Sequence, residues 1–175
     1  MRYSTNDGNN NDSSAAGGMV MYPIAPIANN RQSLINALNG YEPDGYTPMS
    51  ETLFEAYRYY SGGNVLYGQN SKIYNSNTGQ YVATPSVAGS RVGGAANSAQ
   101  YQTPMQYSCQ KNFVVFLTDG LPTKDNQADT DIGNLANSNA LGGACDANGA
   151  GRCLGKMAQY MFNADLSGSL SGQQN

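Results

Sequence analysis

Apolar residues recur at helical spacing between Met49 and Tyr60: Met49, Leu53, Ala56, Tyr57 and Tyr60 stand at i, i+4, i+7, i+8 and i+11. Pro48 suits the first helical position, so Thr47 is the predicted N-cap. A different pattern marks Phe113 to Leu117, where a β-branched and aromatic run stops on Asp119-Gly120 and polar loop follows. That reads as a buried strand delivering one carboxylate to its carboxyl end, the place where open α/β sheets keep their ligand chemistry.

Shorter segments fill in around these two. Gly17 to Ile24 is a predicted strand, with Met1 to Tyr3 the end of its partner and Asn6 to Ser14 a long hairpin-type loop between them. Asn30 is expected to cap a helix over RQSLINALNG, in which Leu34, Ile35 and Leu38 share a face that should pack on a sheet and Gly40 supplies the stop. From Ser61 to Tyr107 the chain has no sustained period and reads as a loop-rich insertion with one short hairpin around Ile73 to Val82. A weak helix is expected near Asp131 to Asn139. A firmer one covers CLGKMAQYMF, where Leu154, Met157, Ala158 and Met161 repeat at i, i+3, i+4 and i+7. The tail from Ser167 to Asn175 reads as a connection. Strand, helix, helix, strand and helix describe an α/β layer architecture.

Composition narrows the partners. With 12% charged residues, a net charge of -3 and no basic stripe, electrostatic attraction to nucleic acid or anionic lipid has little to act on. The longest apolar runs fall well short of the roughly 20 residues of a membrane span, and the polar start at Met1 does not read as a signal peptide. Abundant Tyr, Asn, Ser and Gly is a surface-protein style of composition. Cys145 and Cys153 flank a loop short enough to be closed by a disulfide in an oxidising compartment, which leaves Cys109 over; the alternative is three free thiols in a cytosolic protein. Without histidine or a C-x-x-C pair, zinc is disfavoured.

GYTPMSETLFEAYRYYSGG and CQKNFVVFLTDGLPTKDN resemble the corresponding segments of von Willebrand factor A domains, in particular those of the PilY family at type IV pilus tips. GGMVMYPI with NRQSLINALNG, and CLGKMAQYMFNADLSGSLSGQQN, resemble the same family in the same order. The resemblance implies a Rossmann-like open sheet flanked by helices, incomplete at both ends, with residues 61–107 as the insertion. It also implies a metal-ion-dependent adhesion site in which Thr47 and Asp119 are ligands to Mg²⁺. The third element of that site, D-x-S-x-S, is absent from residues 1–175, and the resemblance implies that it lies upstream with the first strand. Losing a central strand would expose strand edges and make the isolated chain aggregation-prone.

By the same resemblance the protein is an exported, cell-surface adhesin and pilus-biogenesis factor. It would bind pilus subunits, host ligands or abiotic surfaces through a metal-bridged oxygen. The alternative is a secreted A-domain binding protein with no pilus role. Local sequence alone also allows plainer roles: Thr47 as a helix cap and Asp119-Gly120 as a strand-ending turn. Asp125, Asp129 and Asp131 fail the EF-hand pattern, since Thr130 and Ala136 occupy its sixth and twelfth positions, and read as a solvated loop. Asp146 and Asn148 read as a polar turn. An enzyme is not expected, because there is no histidine, phosphate loop or G-x-S-x-G elbow; metal-assisted hydrolysis through Asp119 and Asp125 would lack a nucleophile.

Overall fold

A helix over Met49–Ser61 (α2) forms where the apolar spacing places it, and it ends on Gly62, whose left-handed φ of 67° suits a residue without a side chain. The computed structural model describes residues 1–4, 17–41, 45–118, 120–138, 145 and 149–174. Met49, Leu53, Ala56 and Tyr60 are buried as expected, but so are Ser50, Glu51, Thr52, Phe54, Glu55 and Tyr59. A helix covered on nearly every side is the centre of its domain, and its polar residues must find partners there.

Two further helices cover one flank of α2. They are α3 (Asp129–Ser138) and α4 (Leu154–Asn163). Ile132, Met157, Tyr160 and Met161 join Leu53, Phe54 and Tyr60 in the main core. Tyr57 stands edge-on to Tyr160, with ring centres 5.4 Å apart. Of the positions expected to face the core on α4, Ala158 is exposed and Tyr160 takes its place. Fully burying Met157 stabilises by about 1.5–3 kcal/mol.

Residues 61–107 cover another flank and are more ordered than their composition suggests. The expected hairpin is present as β3 (Lys72–Asn75) and β4 (Gln80–Ala83), with Ile73 opposite Val82. Beyond it the segment is loops and short 3₁₀ turns, yet Tyr67, Tyr101 and Met105 are buried. Its loops are held by Arg91, which is 1% exposed and donates to Ser86 O, Ser98 O and Gln69 Oε1.

Arg2–Tyr3 and Gly18–Met19 pair antiparallel as β1 and β2, which confirms Met1 to Tyr3 as a partner strand but shortens the second strand from the predicted Gly17 to Ile24. The loop expected between them lies outside the described residues. The architecture is thus mixed α/β, with two two-stranded antiparallel sheets among the described residues. These do not make up the single open sheet expected.

Two expectations about packing fail. Phe113 to Leu117 is neither a paired strand nor buried: Phe113, Val115 and Leu117 are 78%, 80% and 84% exposed, because no described strand lies beside it to take its main-chain groups. The first helix, α1 (Ile27–Asn39), buries no residue, and Ile35 and Leu38 face outward for want of a sheet to pack on. It also starts earlier than predicted. Asn30 is therefore inside the helix, accepting from Tyr22 Oη and donating to Pro26 O instead of capping.

Candidate metal centre

The two segments singled out by sequence meet at the start of α2. Thr47 N–H donates to Thr123 Oγ1 at 2.9 Å, and Thr123 N–H donates back to Thr47 O at 3.1 Å. Residues 120–125 are thereby fastened to the amino end of α2, where free N–H groups and the helix dipole favour anions and oxygen ligands. Thr47 is half-buried, and among the described residues its hydroxyl has no hydrogen-bond partner. Asp119 lies outside the described residues, so only one of the two predicted ligands can be placed.

Thr47 is not the N-cap expected of it. Helix α2 begins at Met49 with no side-chain cap from its own segment. The carboxylate of Asp125 does this work from the facing loop, accepting from Ser50 N–H at 2.6 Å and from Ser50 Oγ at 3.2 Å. Asp125 is 1% exposed and Asp129 is 7% exposed, so the solvated acidic loop is corrected for both; Asp131 is exposed. Asp129 is balanced by Arg152 Nε at 2.5 Å.

Glu51, one helical residue beyond Ser50, was missed by sequence reasoning. One carboxyl oxygen accepts from Gln127 N–H at 2.5 Å and Ala128 N–H at 3.1 Å, while its other oxygen, Oε2, is buried with no hydrogen-bond partner among the described residues. Burial, followed by the hydrogen bond and charge of Asp125, pushes the Glu51 carboxyl up to about 9. Glu51 therefore keeps its proton at neutral pH, beside the Asp125 carboxylate. The only signal in the sequence was the S-E pair after T-P-M at a helix start, which reads equally well as a solvated first turn.

Cys145 and Cys153 form the expected disulfide, with Cα atoms 4.7 Å apart, and Cys109 is an exposed free thiol. Asp129 gathers with these two sulfurs within 4.8 Å, but bonded sulfurs offer no thiolate to a metal. Asp146 and Asn148 lie outside the described residues.

The oxygens placed at Thr47 and Thr123 are neutral, hard donors of the kind Mg²⁺ accepts. Asp119, the charged ligand that the resemblance implies, lies outside the described residues. No helix among the described residues is long and apolar enough to cross a membrane. Compared with known proteins, the chain matches no family model, no curated protein and no solved structure.

Proposed function

We propose that this protein is a surface adhesin with a role in type IV pilus biogenesis, acting through a metal-ion-dependent A domain of von Willebrand factor type. The reading rests on the ordered resemblance of its segments to the PilY family. One structural observation supports it: the reciprocal Thr47–Thr123 contact joins GYTPMSETL to the loop that follows FVVFLTDG, as a shared site would require.

Thr47 and Asp119 would hold Mg²⁺, and the bound ion would offer an open coordination position to a carboxylate or other oxygen of the partner. The chain's own residues do the rest. Thr47 lends a hydroxyl oxygen at the head of α2, Asp119 supplies charge, and Asp125 fixes the helix start by holding Ser50. The partners are pilus subunits or surface ligands, the place of action is the exported pilus tip, and the protein works by binding rather than by turnover.

The experiment compares producing cells carrying the wild-type protein with cells carrying Asp119→Ala or Thr47→Ala. Attachment and pilus number are scored in Mg²⁺ and after chelation. Attachment lost in Asp119→Ala and on chelation supports the reading; attachment that is indifferent to both removes the metal from the mechanism. Normal pili in a deletion strain would remove the pilus role and leave a secreted binding protein.

A further inference from the structure

Asp129 opens α3, Cys153 stands at the N-cap of α4, and Cys145 joins it through the disulfide. The three side chains converge: a carboxylate oxygen of Asp129 and both sulfurs lie within 4.8 Å of one another. Cys153 is fully buried, Asp129 is nearly so and Cys145 is half-buried. The sulfurs also face the main chain of residue 129, with Cys145 Sγ 3.9 Å and Cys153 Sγ 3.8 Å from its carbonyl oxygen.

One atom in this group lacks a partner. Arg152 Nε engages Asp129 Oδ2, whereas Oδ1 is buried with no hydrogen-bond partner among the described residues. A buried carboxylate oxygen without a donor is destabilising, and a cation can satisfy it instead. Only the bond between the sulfurs stands in the way, because a disulfide offers no thiolate. Helix α4 begins without a side-chain cap. Once the bond is open, the positive end of that helix and the Arg152 guanidinium favour thiolate over thiol.

We infer that the reduced chain binds a thiophilic divalent cation of the zinc type through Cys145 Sγ, Cys153 Sγ and an Asp129 carboxylate oxygen, and that the Cys145–Cys153 disulfide is the closed, metal-free form of the same site. A dithiol opens it: the protein S–S bond breaks, the dithiol is oxidised to its own disulfide, and its two protons and two electrons pass to the protein sulfurs. The cation then displaces both protons to solvent. Zinc takes sulfur at about 2.3 Å and carboxylate oxygen at about 2.0–2.2 Å in a tetrahedron, so the three side chains leave the fourth position to water. The sulfurs separate to roughly 3.7 Å in that geometry, and rotation of the half-buried Cys145 side chain supplies the movement. Two thiolates and a carboxylate are balanced by the doubly charged ion together with Arg152. No C-x-x-C spacing marks such a site, because its third ligand comes from the head of α3.

The test uses the 175-residue chain carrying Cys109→Ser, which removes the exposed free thiol. The chain is reduced with a phosphine, desalted without air, and titrated with Co²⁺ and then Zn²⁺. Thiolate-to-cobalt charge-transfer absorption should saturate at one ion per chain and vanish when Zn²⁺ is added, and Zn²⁺ should protect Cys145 and Cys153 from alkylation. The oxidised chain should give no such absorption. Asp129→Asn should weaken Zn²⁺ binding at least about tenfold, whereas Asp131→Asn, at an exposed neighbouring position, should not. Near-UV circular dichroism of each variant checks the fold. A reduced chain without the charge-transfer absorption would overturn the inference. So would Asp129→Asn binding as tightly as its parent, the result expected of an unfolded chain that holds the ion by its sulfurs alone. None of these readouts involves Thr47 or attachment, so the adhesin reading stands or falls separately.

Discussion

Tyr101 donates its hydroxyl proton to Glu55 Oε1 at 2.7 Å, linking α2 to a loop 46 residues further along the chain. Glu55 also accepts from Leu66, Tyr67 and Gly68 N–H at 3.0–3.1 Å. Burial raises the pKa of the Glu55 carboxyl, and these four donors oppose the rise by favouring its ionised form. Glu55→Ala would leave several buried donors unpaired and should cost about 3–5 kcal/mol, against about 1–2 kcal/mol for Tyr101→Phe. Urea unfolding of the two variants checks the order, and a smaller loss in Glu55→Ala than in Tyr101→Phe would contradict it.

The same knot constrains Gly68. A Cβ there would come within 2.5 Å of Tyr101 Oη and 3.0 Å of Glu55 Oε1, besides overlapping Ser86 Oγ. Gly68→Ala should therefore destabilise by about 1–3 kcal/mol through crowding alone. Near-UV circular dichroism of the buried tyrosines should change with it, while a surface control such as Gly120→Ala, where a Cβ meets open space, should not.

Stability should fall as pH rises from about 4.5 to about 9. Glu51 ionises near 4.5 when unfolded but holds its proton up to about 9 when folded. The folded state therefore binds the extra proton throughout that window, and the stabilisation present below it is lost on passing upward. One such proton is worth at most about 1.4 kcal/mol per pH unit. Thermal melts across that range should slope downward for the wild type and less steeply for Glu51→Gln, which keeps the shape without the titration. Equal slopes would show that the Glu51–Asp125 pair is not the source.

Reducing the Cys145–Cys153 bond should lower stability by about 2–3 kcal/mol, because it frees a short loop in the unfolded chain, the cysteines being 8 residues apart. Cys153 is fully buried beside Ile132 and Met157, so the loss should be read with dithiothreitol on the wild type, which leaves both side chains in place. An unchanged melting temperature would mean the loop was already ordered without the bond.

Replacing Thr123 by valine removes the oxygen that receives Thr47 N–H. If Thr47 and the following loop form one cation corner, Thr123→Val should weaken Mg²⁺ binding several-fold by calorimetry with the fold retained, a loss of about 1 kcal/mol in positioning. Undiminished affinity would place the metal elsewhere.

A 3.6-residue period over a dozen positions leaves few alternatives, so α2 and α4 were legible in the sequence, as was the hairpin at Ile73–Val82. The sequence also pointed to the Cys145–Cys153 bond, since two cysteines flanking a short loop are close by necessity. Tertiary structure alone decided which faces were covered. Glu51 and Glu55 look like the solvated side of an amphipathic helix, yet loops 66–68 and 125–128 close over them and supply main-chain donors that no local pattern announces. Asp125 became a cap from 75 residues away for the same reason. Conversely, Phe113–Leu117 has every local mark of a buried strand but remains open, because burial of a strand depends on neighbours that its own sequence cannot supply.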